Sequence, residues 1–162
     1  RITCDCPLID PRVVDEVIDI YRKKRADYTC TPRTYPEGLD VEVFSYRALK
    51  DAWKNAKKPS EREHVSPYIK NHTALFKSHF PYNPALPDYS SYHWSVDQRK
   101  DLAFVRSVYR HLYHPKQLFH KENVIGLLQK KPALLKINKG LTGYEGYRES
   151  LTKEINTTME NF

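Results

Sequence analysis

Hydrophobic and polar positions fall into short blocks along the chain, and the period changes from block to block. Val13, Val14, Val17, Ile18 and Tyr21 recur at helical spacing and give one apolar stripe. Asp10 stands where an N-cap belongs, Pro11 at the first helical position, and Arg22-Lys23-Lys24-Arg25 at the basic end. Ahead of this helix Arg1 to Cys4 is compatible with a short strand. Asp5 to Ile9 is then a loop at the carboxyl end of that strand, the edge where open α/β sheets bind ligands. Ala26 to Cys30 reads as a second strand and Thr31 to Gly38 as a loop punctuated by Pro32, Pro36 and Gly38. Leu39 to Phe44 alternates, with Leu39, Val41 and Val43 on one face and the carboxylates of Asp40 and Glu42 on the other.

Farther along, Ser45 is placed to cap a helix from Tyr46 to about Ala56, with Leu49, Ala52 and Trp53 inward. Ser60-Glu61-Arg62-Glu63 has the spacing of a capping box ahead of a helix reaching about Asn71, which Pro67 kinks or divides. Phe80 to Ser91, rich in Pro, Tyr and Asn, is an exposed loop. Tyr92 to Val96 predicts a strand ended by Asp97, followed by a long helix to about Tyr113 whose stripe is Leu102, Phe104, Val105, Val108, Tyr109 and Leu112. Glu122–Gln129 and Ala133–Ile137 are shorter helical pieces, and the pattern past Tyr147 is weak. Strands alternating with helices make this an α/β chain.

Composition narrows the picture. With 162 residues, 40% of them hydrophobic, and with 12 Tyr, 6 Phe and 2 Trp, the chain can bury one core and is too apolar to be disordered. A mean hydropathy of −0.73 and the lack of a run near the roughly 20 apolar residues of a membrane span argue against insertion in a bilayer. Three cysteines, Cys4, Cys6 and Cys30, are an odd number without an obvious bridge, so the cytoplasm is the default compartment. The net charge of +7 is local: Arg99 to Lys139 holds ten Lys and Arg against only Asp101 and Glu122. Such a segment could serve a polyanion or nucleic acid, or be a solvated helical face.

Candidate chemistry lies elsewhere. Asp5 and Asp97 each close a predicted strand just before a helix, and if those strands are neighbours the carboxylates converge as a Mg²⁺ bound to a nucleotide requires. The simpler role for Asp97 is to cap its helix. Cys4 and Cys6, one residue apart, lack the spacing of a zinc pair and read as small buried hydrophobes. Of the seven histidines only His64, near Glu61, Glu63 and Tyr68, stands in a chemically suggestive group. Arg33, Tyr35, Asp40 and Glu42 surround a Pro/Gly loop with donors and acceptors suited to a polyhydroxylated or anionic ligand.

Four blocks in order carry a family resemblance: Arg1 to Pro11 with Cys4-Asp5-Cys6-Pro7, Arg33 to Ser45, Pro59 to Ile69 with Glu61-Arg62-Glu63-His64, and Trp94-Ser95-Val96-Asp97 with Asp101-Leu102. Together they resemble the cytidylyltransferase family of spore coat polysaccharide biosynthesis, relatives of the synthetases for CMP-activated sialic acid and KDO. The resemblance implies a Rossmann-like nucleotide-diphospho-sugar transferase fold, a mixed sheet flanked by helices. It also implies transfer of CMP from CTP to a sugar or sugar-like acid, with pyrophosphate released. By motif position Asp5 and Asp97 would be the catalytic, Mg²⁺-binding pair, and Arg33, Tyr35, Asp40, Glu42, Glu61 and His64 would face the acceptor.

Family members place a Gly, Arg and Lys-rich phosphate loop ahead of the Asp-x-Pro block, and nothing here matches it. The expectation is therefore a C-terminal portion of such a domain over 1–150, lacking the N-terminal nucleotide-binding part, with a tail over 151–162. Alone, it would bind CTP poorly and turn over little. The expected partners are CTP and a sugar-type acceptor, without a membrane and without nucleic acid. The competing readings are a polyanion-binding module built on 99–139 and a non-catalytic, homodimer-forming half.

Overall fold

The computed structural model describes residues 1–140, 149–153 and 155–156. Helix α1 (Pro11–Lys24) starts as its sequence dictates: the Asp10 carboxylate accepts from the Arg12 backbone N–H at 2.9 Å, and Arg25, in left-handed conformation, closes the far end. Val13 and Val17 are buried and pack with Val41 against a three-stranded mixed sheet. Its central strand β1 (Tyr28–Cys30) pairs antiparallel with β2 (Glu42–Phe44), Tyr28 opposite Phe44, and parallel with β3 (Ser78–His79), Tyr28 opposite Ser78. Helix α2 (Tyr46–Asn55) is capped by Ser45, whose hydroxyl accepts from the Ala48 N–H at 3.1 Å. The short helices α3 (Pro59–Glu63) and α4 (Pro67–Asn71) follow, then α5 (Arg99–Leu112), α6 (Lys121–Lys130) and a 3-10 turn at Pro132–Lys136. This is an α/β fold with a mixed sheet flanked by helices, as expected.

Three apolar clusters fill it. Trp94, Leu8 and Leu39 meet α5 and α6 in the largest; Tyr28 meets Ala48, Ala52, Ile69 and Phe76 in a second; the third lies beneath α1. Tyr35 packs against both the first and the third.

Several expectations need correction. Arg1 to Cys4 forms no strand: Arg1 exchanges both backbone hydrogen bonds with Glu42, and the chain then turns, with the Cys6 N–H donating to Thr3 O. Tyr92 to Val96 joins no ladder: it holds only a parallel bridge from His93 to Glu37 and bends at Ser95. The helix predicted through Asn71 is two: Val65 takes a positive φ of 66°, and Pro67 starts α4. Glu61 reaches back to the Lys58 N–H at 3.4 Å, so the cap lies two residues before Ser60, which is buried inside the helix. Trp53 is 68% exposed, because α2 approaches the core on the small side chains of Ala48 and Ala52. On α5 the buried stripe is Phe104, Val105 and Val108 with the carboxylate of Asp101, while Leu102 and Tyr109 are partly exposed. Cys6 is buried but Cys4 is exposed, and all three thiols are free. Of the expected tail, 151–153 and 155–156 are helical, whereas residue 154 and residues 157–162 lie outside the described residues.

Candidate functional site

The segment from Tyr92 to Asp97 owes its position to two loops. The Glu37 N–H donates to Tyr92 O at 3.0 Å and the Trp94 N–H to Glu37 O at 2.8 Å, which lays the Pro36–Gly38 turn along the segment. Gly38 has φ +95°, and a Cβ there would stand 2.6 Å from both the Trp94 carbonyl carbon and the Ser95 nitrogen, so only glycine allows this approach. On the other side the Val96 N–H donates to Asp5 O at 2.8 Å. The backbones that carry Asp5 and Asp97 thus lie side by side, although neither belongs to a strand.

Around Asp97 the polar groups are dense. His93, 7% exposed, meets Glu37 Oε2 through Nδ1 at 2.6 Å, and its Nε2 lies 3.3 Å from Asp97 Oδ2 and 3.6 Å from Asp101 Oδ2. The Glu37 hydrogen bond, with the charges of Glu37, Asp101 and Asp97, raises the His93 pKa against the opposing effect of burial. The Ser95 hydroxyl donates to Asp97 Oδ2 at 2.8 Å. Asp101, fully buried, accepts from the Asp97 and Gln98 N–H groups through Oδ2, so Asp101 caps α5 and Asp97 is spared that task. Asp101 Oδ1 is buried with no hydrogen-bond partner among the described residues. Glu37, His93 and Asp97 bring one ligand-type atom each within 4.8 Å of one another. Glu37, Ser95 and Asp101 stood in the family blocks but, like His93, were not named as site residues from the sequence; the signal available was the four-residue spacing of His93, Asp97 and Asp101, which a segment entering a helix turns toward one point.

A second polar neighbourhood adjoins. Asp40 is accessible to water yet crowded by protein, and this desolvation, together with Glu37 and Glu42, raises its pKa against a hydrogen bond of 2.8 Å from the Gly38 N–H. Asp40 and Asp5 both act electrostatically on Cys6, whose thiol burial pushes up to about 12. Cys30 is raised too, chiefly by burial, so neither thiol is a thiolate nucleophile near neutral pH.

Glu42 is buried, and both its oxygens are engaged: Oε1 accepts from the Tyr28 hydroxyl at 2.6 Å, Lys70 Nζ at 2.7 Å and the Ser66 hydroxyl at 2.8 Å, and Oε2 from the Arg1 guanidinium at 2.7 Å. Desolvation opposes ionisation, but Lys70 and the hydroxyl donors outweigh it and hold Glu42 down at about 2. Arg33 is exposed, and its charge reaches Cys30, as do those of Lys70 and Glu42.

The remaining expected acceptor residues lie elsewhere in contact terms. The Tyr35 hydroxyl donates to Glu16 at 3.1 Å, with Lys121 Nζ 5.0 Å from its ring centre, and Glu61 caps α3. His64 Nε2 lies 3.1 Å from the Ser150 hydroxyl, which itself donates to Glu63 at 2.7 Å, so His64 is the donor to Ser150. Asp5, Asp40 and Glu42 therefore form one acidic neighbourhood with Asp97 close by through the Asp5 backbone. Tyr35, Glu61 and His64 make structural contacts of their own.

Comparison with known proteins adds the following. The family described as Cytidylyltransferase matches residues 1–161. An uncharacterized protein of Methanocaldococcus jannaschii is 32% identical over 151 residues, covering 92% of this chain and 60% of its own length. The spore coat polysaccharide biosynthesis protein SpsF of Bacillus subtilis is 30% identical over 111 residues, covering 68% of this chain and 46% of its own. A cytidylyltransferase structure from Leptospira borgpetersenii superposes with a TM-score of 0.73 at 27% identity, over 85% of this chain and 57% of that one. The chain thus spans about half to three fifths of the length of the proteins it is similar to.

Proposed function

The chain belongs to the cytidylyltransferase family, and from that premise we propose that it supplies the acidic half of a Mg²⁺-dependent site that transfers CMP from CTP to a sugar-type acid in surface glycan synthesis. The observation that carries the proposal is the Val96-to-Asp5 backbone hydrogen bond, which sets the chain next to Asp97 against Asp5 although Val96 and Asp5 are 91 positions apart in sequence. The donor set supports it: Asp97 Oδ1 has no hydrogen bond among the described residues and its side chain is half exposed, so a carboxylate oxygen is available to a hard divalent cation. The polysaccharide role rests on the likeness to SpsF.

In this reading Asp5 and Asp97 hold the cation, which when bound would neutralise triphosphate charge. The acceptor oxygen forms its bond to the α-phosphorus of CTP as the bond to pyrophosphate breaks. Asp40, fixed at one oxygen by the Gly38 N–H and made more basic by its surroundings, takes the acceptor's proton. Lys70, paired with Glu42, lends positive charge to Asp40, and Arg33 and Lys70 both act on Cys30. No protein nucleophile is needed, which suits two thiols held neutral.

The test is CTP binding by the 162-residue chain with and without Mg²⁺, followed by ligand-observed NMR at millimolar CTP. Mg²⁺ should strengthen the CTP signal, and Asp5→Asn and Asp97→Asn should each remove that gain. A CTP signal indifferent to Mg²⁺ and to both substitutions would refute the reading.

A further inference from the structure

Asp97 is the acidic residue of the site that does not hold itself in place. It is exposed and leads into α5, but it does not cap that helix, a task done by the buried Asp101. A carboxylate in that position has free rotation about its side-chain bonds unless something fixes it, and each rotor fixed at the moment of binding weakens the ion's hold.

What fixes it lies beneath. Both side-chain contacts to Asp97 fall on one oxygen: the Ser95 hydroxyl at 2.8 Å and His93 Nε2 at 3.3 Å both meet Oδ2, leaving Oδ1 without a hydrogen bond among the described residues on a half-exposed side chain. His93 is in turn immobilised. Its Nδ1 is 2.6 Å from Glu37 Oε2, its carbonyl accepts from Asn138 Nδ2 at 2.8 Å, and its backbone is bridged to Glu37. Its Nε2 lies 3.3 Å from the Ser95 hydroxyl as well as from Asp97 Oδ2, so each ring nitrogen already faces a polar group of the protein, Glu37 on one side and the Ser95–Asp97 pair on the other. Ser95, 4% exposed, is equally fixed. Chains of this kind, in which a carboxylate orients an imidazole that orients the group meeting the ion, set ligand geometry from outside the coordination shell.

We propose that His93, braced by Glu37, and Ser95 are positioning residues that clamp Asp97 Oδ2 so that Oδ1 is presented to the divalent cation. The proposal rests on the functional reading above, which makes Asp97 a ligand, and adds how that ligand is held. Asn and Gln divide the imidazole's two contacts between them. An Asn at 93 can donate from the place of Nδ1, toward Glu37, and loses the contact with Asp97; a Gln can donate from the place of Nε2 and keeps it.

The experiment is Mn²⁺ binding to the full 162-residue chain, read by water-proton relaxation with millimolar CTP present, alongside a melting curve for every variant. Asp97→Asn should remove the tightest Mn²⁺ site. His93→Asn and Ser95→Ala should weaken it by about 10- to 100-fold, and His93→Gln should recover most of the loss. Ser95→Ala removes a single hydroxyl and carries the test if His93→Asn does not fold. Binding unchanged in Ser95→Ala and in a folded His93→Asn, with Asp97→Asn still abolishing it, would overturn the clamp and leave the functional reading standing. Loss in His93→Asn as complete as in Asp97→Asn, unrescued by Gln, would make His93 a ligand and also overturn it. Mn²⁺ binding that survives Asp97→Asn would instead sink the functional reading, and the clamp with it.

Discussion

Glu42 shows how far a residue's role depends on what folds around it. As one of two carboxylates on an alternating strand it looks like a ligand-facing group; in the fold it is the hub for Tyr28, Ser66, Lys70 and Arg1. Its folded pKa lies below its unfolded one, so it contributes stability above the unfolded carboxylate range, and that contribution is lost as the pH falls toward about 2. The full contribution is about 3 kcal/mol. Wild type should therefore lose thermal stability between about pH 5 and pH 2 more steeply than Glu42→Gln, which starts lower at pH 7; parallel melting curves across that range would contradict the assignment. Gly38 makes the complementary case for backbone. Gly38→Ala forces a Cβ into the Trp94 and Ser95 backbone and puts alanine at φ +95°, so it should cost more than about 1 kcal/mol in urea denaturation. Because that contact positions the Asp97 segment, the variant should also weaken Mn²⁺ binding.

Among the elements, helix ends are where the sequence was most explicit, and one of them does more than its pattern announces. Asp10 caps α1, and the same buried carboxylate accepts from the Lys121 N–H at 2.8 Å and lies 3.0 Å from His120 Nδ1, so it also caps the N-terminus of α6, 111 residues away in sequence. The backbone hydrogen bonds from Lys121 and Arg12, with His120, lower its pKa despite burial. Asp10→Ala should therefore cost about 2 kcal/mol or more, against about 1 kcal/mol for Ser45→Ala, which releases only the α2 cap. Equal losses in denaturant titrations would show the second attachment to be idle. Where expectations failed at this scale, the failures share a cause. The 1–4 and 92–96 segments have strand composition, but backbone partners for a ladder reach only Arg1 and His93. β3 was missed because two residues carry no period.

Taken whole, the molecule distributes its two tryptophans usefully: Trp94 is fully buried in the cluster with α5 and α6, and Trp53 is largely exposed on α2. Trp53→Phe should leave stability within about 0.5 kcal/mol and a single, unquenchable emission from Trp94. Unfolding followed by that emission should coincide with loss of helix by circular dichroism, since Tyr35 and Asp10 tie the cluster beneath α1 to the one around Trp94; separate transitions would mean that they are independent units. At this scale the basic segment 99–139 lies on α5, α6 and the turns around them, with Arg106, Arg110, Lys130 and Lys131 exposed. Among the described residues no helix is long and apolar enough to cross a membrane. By itself the sequence determined the family blocks, the helix starts at Asp10 and Ser45, the Pro/Gly loops and the α/β class, because capping, periodicity and turn chemistry act between residues a few positions apart. Only the tertiary structure decided that Asp5 meets Val96, that Glu42 is sequestered, and that Glu37, His93, Ser95 and Asp101 surround Asp97. Those relations join residues distant in the chain, and burial and hydrogen bonding depend on which surfaces the fold brings together, which local pattern does not encode.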